Sequence, residues 1–466
     1  MPLSADICIL GGGPGGYVAA LRASALGSTV VLVESSTVGG VCLARGCIPT
    51  KALLRSAEIF QLCGSASSFG INVGKVEADY AAIAKRKDRI VGQLIRGVQG
   101  LLKAADVTVV EGWGRMAGPG AVEVALPDRT ELITASKIIL ATGSSASAPP
   151  IPGKDLPGVI DSDGALALQE IPSHIVVAGA GAVGVEWASL FALLGSEVTL
   201  VEMLPRVVPN EDADISTAMR KILVQQGVTV HTETRIETIQ KGGEGLEIAM
   251  QLDGTSTTVN ASHLLLATGR KPNVENLELE SCGVQFSPAG ISVNAHMQTT
   301  IPTIYAIGDV TGDKLLAHVA SHQGVVAAEH ANGHHSIYDD KAVPACTFTH
   351  PEIASVGLTE QEARKRSESV QVGVFPFQAL GRARAYGDTD GFVKIVSDTS
   401  HGEILGMHVI GPAASDIISE GVLAIRLEAT LDDLRETIHA HPTFAEATAE
   451  SAWMAINSPI HVPLAK

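Results

Sequence analysis

Aromatic residues make up only 4% of the 466-residue chain, too few to build the stacking platforms that hold single-stranded nucleic acid. Positive charge is also scarce. The 33 Lys and Arg stand against 50 Asp and Glu, a net charge of -17. That balance argues against nucleic acid or an anionic membrane as a partner and permits a basic protein one. No uncharged apolar run reaches the length of a membrane span. Cysteine is rare too, with six residues at 8, 42, 47, 63, 282 and 346, too few for a secreted disulfide framework of this size. Strand-like sequence begins almost at the N-terminus, with no basic leader or small-residue cleavage site before it. The expectation is a cytoplasmic protein in which any disulfide is catalytic rather than structural. Hydrophobic content, by contrast, is 45%, enough for large cores, and the length predicts two to four domains.

One stretch organises the rest: Gly40-Val41-Cys42-Leu43-Ala44-Arg45-Gly46-Cys47-Ile48-Pro49-Thr50-Lys51. Pro49 suits a first helical turn, and Ala52, Leu53 and Leu54 continue as helix formers. This puts Cys47 at a helix N-terminus, where the dipole lowers a thiol pKa, and Lys51 adds positive charge one turn on. Cys42 is near enough in sequence for a disulfide. The reading is a redox-active Cys42–Cys47 pair; two unrelated buried cysteines fit the spacing as well.

Two other stretches repeat one another. A buried strand at 6–10 leads into Gly11-Gly12-Gly13-Pro14-Gly15-Gly16, then a helix from Tyr17, then a second strand ending at Glu34. This is the dinucleotide fingerprint, with Gly11, Gly13 and Gly16 in its glycine positions, a helix N-terminus for a pyrophosphate and an acid for a ribose. A strand at 174–178 leads into Gly179-Ala180-Gly181-Ala182-Val183-Gly184, a helix over 185–194, and a strand ending at Glu202. Gly11 to Glu34 and Gly179 to Glu202 have the same spacing. Ile139-Leu140-Ala141-Thr142-Gly143 returns as Leu265-Leu266-Ala267-Thr268-Gly269. The repeat predicts two dinucleotide-binding domains and two dinucleotides. Glu202 favours a free ribose 2′-OH, hence NAD over NADP, although Arg206 nearby could soften that preference.

Between and after these units the pattern is plainer. Residues 80–103 predict a helix whose charged run Lys85, Arg86, Lys87, Asp88 and Arg89 reads as a solvated face. Residues 107–135 predict short strands, and Pro149, Pro150, Pro152 and Gly153 mark a boundary. A strand over 304–310 ends on Gly308-Asp309, an acid that suits either the ribityl hydroxyls of a flavin or a plain turn. A helix is expected over 315–329. His334 and His335 read as loop residues with no further ligands around them, so no metal site is expected. From about 341 the chain predicts antiparallel strands at 370–378 and 391–410 and helices at 413–427 and 431–437. His441-Pro442-Thr443, with Glu446 five residues on, reads either as a general base oriented by a carboxylate or as an interface histidine. Cys8, Cys63, Cys282 and Cys346 read as inert core thiols.

Together these motifs resemble the two-dinucleotide flavoprotein disulfide oxidoreductases, the class I pyridine nucleotide-disulfide oxidoreductase family, over essentially the whole chain. The branch to which it is most similar oxidises dihydrolipoyl groups with NAD⁺. The resemblance implies an α/β fold of two Rossmann-like domains, a central domain and a C-terminal α+β interface domain. On these boundaries FAD binds at 1–147 and NAD at 148–269, 270–340 completes the FAD site, and 341–466 forms a homodimer with shared active sites. Carried over, Cys42 is the interchange thiol and Cys47 the charge-transfer thiol, with Lys51 near the flavin and paired with Glu186. Gly143, Asp309, Ala317 and His318 join Gly11, Gly13, Gly16 and Glu34 at FAD. Gly269 joins Gly179, Gly181, Gly184, Glu186 and Glu202 at NAD. His441 from the other subunit, held by Glu446, is the base.

The implied partners are a lipoyl-bearing protein or small dithiol and the core of a 2-oxoacid dehydrogenase complex. A reductase of another small disulfide, or a flavin redox sensor without turnover, is the alternative. Glu202 disfavours glutathione-type reductases, and the lack of cysteine after Cys346 disfavours mercuric ones. Ala44, Arg45, the Ser321–Gly324 run and Gly381-Arg382 depart from the family's pattern.

Overall fold

The run from Ile7 to Leu10 is apolar on both faces, as a central strand of a parallel sheet requires. In the computed structural model, which describes residues 3–463 except 244, 253 and 368, it lies within β1 (Leu3–Leu10). There follow α1 (Pro14–Ala25), β2 (Val30–Glu34), α2 (Gly40–Arg45), α3 (Cys47–Gly64), α4 (Tyr80–Ala104), β3 (Thr108–Glu111), β4 (Trp113–Gly118), β5 (Ala121–Ala125) and β6 (Thr130–Leu140). β1 pairs in parallel with β2 and β6, β3 extends the sheet beyond β2, and β4 and β5 fold back antiparallel beside β6.

The chain crosses through β7 (Ser144–Ala146) into a second lobe of the same plan. Its elements are β8 (Val159–Ile160), α5 (Ser162–Leu166), β9 (His174–Ala178), α6 (Ala182–Leu193), β10 (Glu197–Val201), α7 (Ala213–Gln225) and β11 (Thr229–His231). A three-stranded antiparallel leaf follows, β12 (Arg235–Lys241), β13 (Leu246–Leu252) and β14 (Thr255–Ala261), and then β15 (His263–Leu266). The strand order β11-β10-β9-β15-β8 is parallel throughout. β16 (Arg270–Pro272) runs back antiparallel on β7, with Ser145 opposite Lys271, so both crossings between the lobes are joined at one place.

β17 (Phe286–Ser287) and β18 (Gly290–Ile291) pair with each other, and β19 (Ile304–Ala306) joins the first sheet beside β6. The strand expected over 304–310 stops at Ala306, because Gly308 takes φ +69° and opens a 3₁₀ turn over Gly308–Thr311. α8 (Ala317–Ala331) packs on α1 so closely that a Cβ on Gly324 would lie 2.5 Å from the Gly15 carbonyl oxygen. Residues 270–340 thus add a strand and a helix to the first lobe.

The last part comprises β20 (Ala345–Thr347), β21 (Glu352–Gly357), α9 (Glu360–Arg366), β22 (Val370–Pro376), α10 (Gly381–Tyr386), β23 (Phe392–Asp398), β24 (Ile404–Gly411), α11 (Ala414–Arg426), α12 (Leu431–Glu436) and α13 (Glu446–Ala455). Its five strands form one antiparallel sheet. Lys394 on β23 docks this sheet against the second lobe. Its buried ammonium lies 2.8 Å from Asp212, 2.7 Å from Asp214 and 2.7 Å from Glu360. Burial disfavours that charge, but the three carboxylates outweigh it and hold the pKa up.

The lobes are welded through the helix that begins at Cys47. Leu53, Leu54 and Ala57 of α3 share one core with Ala165, Leu166, Trp187 and Phe191 of the second lobe; each buried Leu contributes about 1.5–3 kcal/mol. The charged run on α4 is not wholly solvated, as its sequence suggested. Lys87 is buried and donates to the Leu166 carbonyl at 2.8 Å, and Arg86 donates to that of Ala52 at 2.9 Å. A lysine stem covers apolar surface while its head reaches the carbonyl end of α5. Among the described residues no helix is long and apolar enough to cross a membrane, and no three His, Cys, Asp or Glu are grouped to hold a metal.

Candidate active site

The two fingerprints superimpose bond for bond. In the first, the Gly11 N–H donates to the Val33 carbonyl at 2.8 Å, and Glu34 accepts from the Gly12 N–H and the Ser36 N–H, both at 2.7 Å. In the second, the Gly179 N–H donates to the Val201 carbonyl at 2.8 Å, and Glu202 accepts from the Ala180 N–H at 2.6 Å and the Leu204 N–H at 2.9 Å. The third glycine of each set is required by contact. A Cβ on Gly16 would lie 1.8 Å from the Gly11 carbonyl oxygen, and one on Gly184 would lie 1.8 Å from that of Gly179. Each carboxylate is fixed by two backbone donors at the end of its strand, where a ribose hydroxyl can reach its remaining lone pairs.

Arg206 does not turn toward Glu202's ribose position; it donates to the Pro209 carbonyl at 3.1 Å. A 2′-phosphate at that ribose would meet the Glu202 carboxylate, which repels it. The expected result is a kcat/KM for NAD⁺ about 100-fold above that for NADP⁺, read by steady-state kinetics; equal values would remove Glu202 from the selectivity.

A cavity of about 680 Å³ runs from Glu34, Ser36 and Trp113 past Gly11, Gly13 and the start of α1 to Cys42, Cys47, Lys51 and Glu186. Asp309 and Ala317 line its side. α3 begins at Cys47, as the sequence predicts, and Gly46, with φ −144° and ψ −102°, breaks the chain from α2. Cys42 and Cys47 are present as the dithiol. The two thiols shift in opposite directions: the interaction with Cys42 lowers the Cys47 pKa, and that of Cys42 rises. Burial opposes the fall, Lys51 assists it, and Glu186 opposes it again.

Lys51 links three parts of the chain. Its ammonium donates to both oxygens of Glu186 on α6 at 2.8 Å and lies 4.5 Å above the Phe348 ring, and the Phe348 N–H donates to Glu186 at 2.9 Å. Asp309 is held in the same indirect manner. Ser144 Oγ donates to it at 2.5 Å and accepts from Arg270 Nε at 2.7 Å. Phe348, Ser144 and Arg270 had no sequence signal of their own. Phe348 acts through its backbone and ring face; the other two meet only because β7 and β16 pair.

Not every expected residue joins the cavity. His318 is exposed, with Nε2 2.8 Å from the Pro344 carbonyl, and it does not line the cavity. Gly269, expected at NAD rather than here, takes φ +117° after β15, and like Gly179, Gly181, Gly184 and Glu202 it is not part of this cavity's wall. Cys346 is no core thiol: it lines the cavity half-buried, its pKa pushed up to about 11 by burial and then by Glu352 and Glu211. Cys63 is likewise half-buried, whereas Cys8 and Cys282 are buried. His441 lies outside the cavity with an exposed side chain. Its Nδ1 is 2.8 Å from Glu446, whose other oxygen accepts from the Thr443 N–H at 2.8 Å. Glu446 opens α13 and so fixes the ring, leaving Nε2 free. In a single chain His441 and the cysteine pair do not share the cavity.

Two matched dinucleotide cradles around a dithiol, with a lysine–glutamate pair between them, define a flavin-linked oxidoreductase of the dithiol–disulfide couple. Residues 5–324 match the Pyridine nucleotide-disulphide oxidoreductase family and residues 343–452 its dimerisation domain, and the chain belongs to that family. It is 41% identical to a dihydrolipoyl dehydrogenase of Bacillus subtilis, covering 98% of this chain and 99% of that one. It is 42% identical to a dihydrolipoyl dehydrogenase of Chlamydia trachomatis over 99% of each. Among solved structures, LpdA from Mycobacterium tuberculosis superimposes with a TM-score of 0.89 at 29% identity, over 97% of this chain and 99% of that one. The HOCl-induced flavoprotein disulfide reductase RclA from Escherichia coli does so with a TM-score of 0.86 at 29% identity, over 96% and 99%. The cofactors are FAD and NAD(H). The first cradle, its ordered Glu34 and the length of the cavity past Asp309 fit FAD; the second cradle with Glu202 fits NAD(H).

Proposed function

We propose that this chain is a homodimeric oxidase of dihydrolipoyl groups that delivers their electrons to NAD⁺. The observation that carries the reading is the Cys42–Cys47 dithiol in a cavity that also holds Lys51–Glu186 and the first cradle. The full-length relatives named for the same activity support it. FAD occupies the lobe of residues 1–147, completed by 270–340, and NAD⁺ that of 148–269; residues 341–466 make the dimer.

His441 of one subunit, oriented by Glu446, takes the proton from a substrate thiol bound over the cysteine pair of the other. The thiolate attacks Cys42 in the enzyme disulfide, a substrate–Cys42 bond forms, and Cys47 leaves as thiolate beside Lys51. The second substrate thiol attacks its partner sulfur, Cys42 leaves, and the substrate departs as its cyclic disulfide. Two electrons have passed to the enzyme dithiol. FAD supplies the path from that dithiol to NAD⁺, so that the overall change is dihydrolipoyl plus NAD⁺ to lipoyl, NADH and a proton. Glu186 keeps the Lys51 ammonium in place, and the imidazolium of His441 balances the thiolate left behind.

The test is NAD⁺ reduction by dihydrolipoamide. Turnover specific to NAD⁺ supports the reading. A purified flavoprotein that is reduced by NADH but inert toward dihydrolipoamide overturns it, in favour of another disulfide or of a sensor without turnover. The acidic charge suits docking on a basic domain of a 2-oxoacid dehydrogenase complex, an association that high salt would weaken. A pair that cycles between dithiol and disulfide suits the reducing cytoplasm.

A further inference from the structure

Arg45, one of the departures from the family's pattern, closes the helix that carries Cys42. That helix is short and only half-buried. It has six residues and none is buried. Gly39 caps it and Gly40 opens it, with φ +98° and +58°, and Gly46 breaks it from α3. Its holds include the half-buried Leu43, packed on the first-lobe core, the Gly39 N–H on the Gly12 carbonyl at 2.7 Å, and the close approach of Gly40 to Gly13. At its far end Arg45 Nη1 lies 3.0 Å from Asp163 Oδ2.

Asp163 is a firm mooring. It sits in the first turn of α5, whose N-cap Asp161 accepts from the Gly164 N–H at 2.9 Å. Lys87 grips the other end of α5 through the Leu166 carbonyl, and Ala165 and Leu166 are set in the core shared by the two lobes. In the oxidised enzyme the Cys42–Cys47 bond ties α2 to α3. Once a substrate dithiol has reduced it, leaving as a disulfide with two electrons transferred to the enzyme, that tie is gone and the ion pair remains as a side-chain link from the end of α2 to α5.

We propose that Arg45, through Asp163, is a positioning residue that keeps Cys42 in register with Cys47 while the pair is reduced. The inference rests on the reading of Cys42–Cys47 as a cycling pair, and its test does not need turnover. The FAD-loaded protein is reduced with dithiothreitol under argon, and alkylation of Cys42 by iodoacetamide is timed by mass spectrometry of its peptide.

Asp163→Asn and Arg45→Met are expected to speed Cys42 alkylation about three- to five-fold, the range an exposed ion pair commands. High salt should speed the unaltered protein in the same direction. The exchanged pair, Arg45→Asp with Asp163→Arg, should restore the slow rate, and the melting temperature of the oxidised protein should not move in any variant. Unchanged alkylation in the single variants, or no rescue by the exchange, overturns the tether. A pair that dithiothreitol opens but dihydrolipoamide does not would instead overturn the functional reading and leave the tether standing.

Discussion

Cys47→Ser is expected to lower NAD⁺ reduction by dihydrolipoamide by at least about 10⁴-fold, the scale of losing a nucleophile that acts as part of a unit. Reduction of the bound flavin by NADH should persist. The asymmetry follows from where the residue stands. Cys47 opens α3 and has the lowered pKa of the pair, with Lys51 at hand, so it is the sulfur that carries the anion. A serine there keeps the helix start but cannot form the disulfide or leave as a stable anion. Cys42→Ser should abolish dithiol turnover as well, because a serine cannot take the substrate sulfur into a mixed disulfide. Rapid-mixing traces separate the half-reactions. Loss of the NADH step along with the dithiol step in Cys47→Ser would mean that the residue holds the flavin site together instead.

His441→Gln is expected to slow the dithiol half-reaction about 10²- to 10⁴-fold, the usual contribution of a positioned general base. The reaction from NADH should be unaffected. Glutamine fills the space and can still face Glu446, so the helix that begins at Glu446 keeps its start. On the proposed reading each site takes His441 from one chain and the cysteine pair from the other. Mixed dimers give a direct reading. Combining inactive Cys47→Ser chains with inactive His441→Gln chains should restore one working site per heterodimer, and no recovery would exclude a shared site.

The features readable in the sequence are those that the backbone imposes locally. The two glycine sets are legible because their third glycines lie against a carbonyl oxygen with no room for a Cβ. The acids at Glu34 and Glu202 are legible because each ends a strand a fixed distance on. His441 and Glu446 were readable by their spacing around Pro442. What escaped the sequence lies across the fold. Lys87 looks like part of a solvated charge run, yet it meets the end of a helix 79 residues away in sequence. Phe348 contributes an N–H and a ring face that any residue type partly disguises. Ser144 and Arg270 form a relay to Asp309 only through the pairing of the two crossings. His318, placed by resemblance, turns to Pro344 because the chain before β20 runs over the start of α8.

The mirrored cradles also bear on residence time. Glu34 and Glu202 are each held by two backbone N–H groups in the same manner, so a ribose would meet a similar acceptor in either cradle. The surroundings differ. Around the first, Gly40 lies against Gly13 so closely that a Cβ would be 2.6 Å from its Cα, and α8 is pressed onto α1. Around the second, Val183, Met203 and Leu204 remain 43%, 68% and 49% exposed. The first cradle is closely packed and the second is bordered by exposed side chains. With FAD in the first and NAD(H) in the second, as proposed, the ligand of the second is expected to leave faster. An electron relay needs that difference, since one carrier must stay through every turnover while the other leaves with the product.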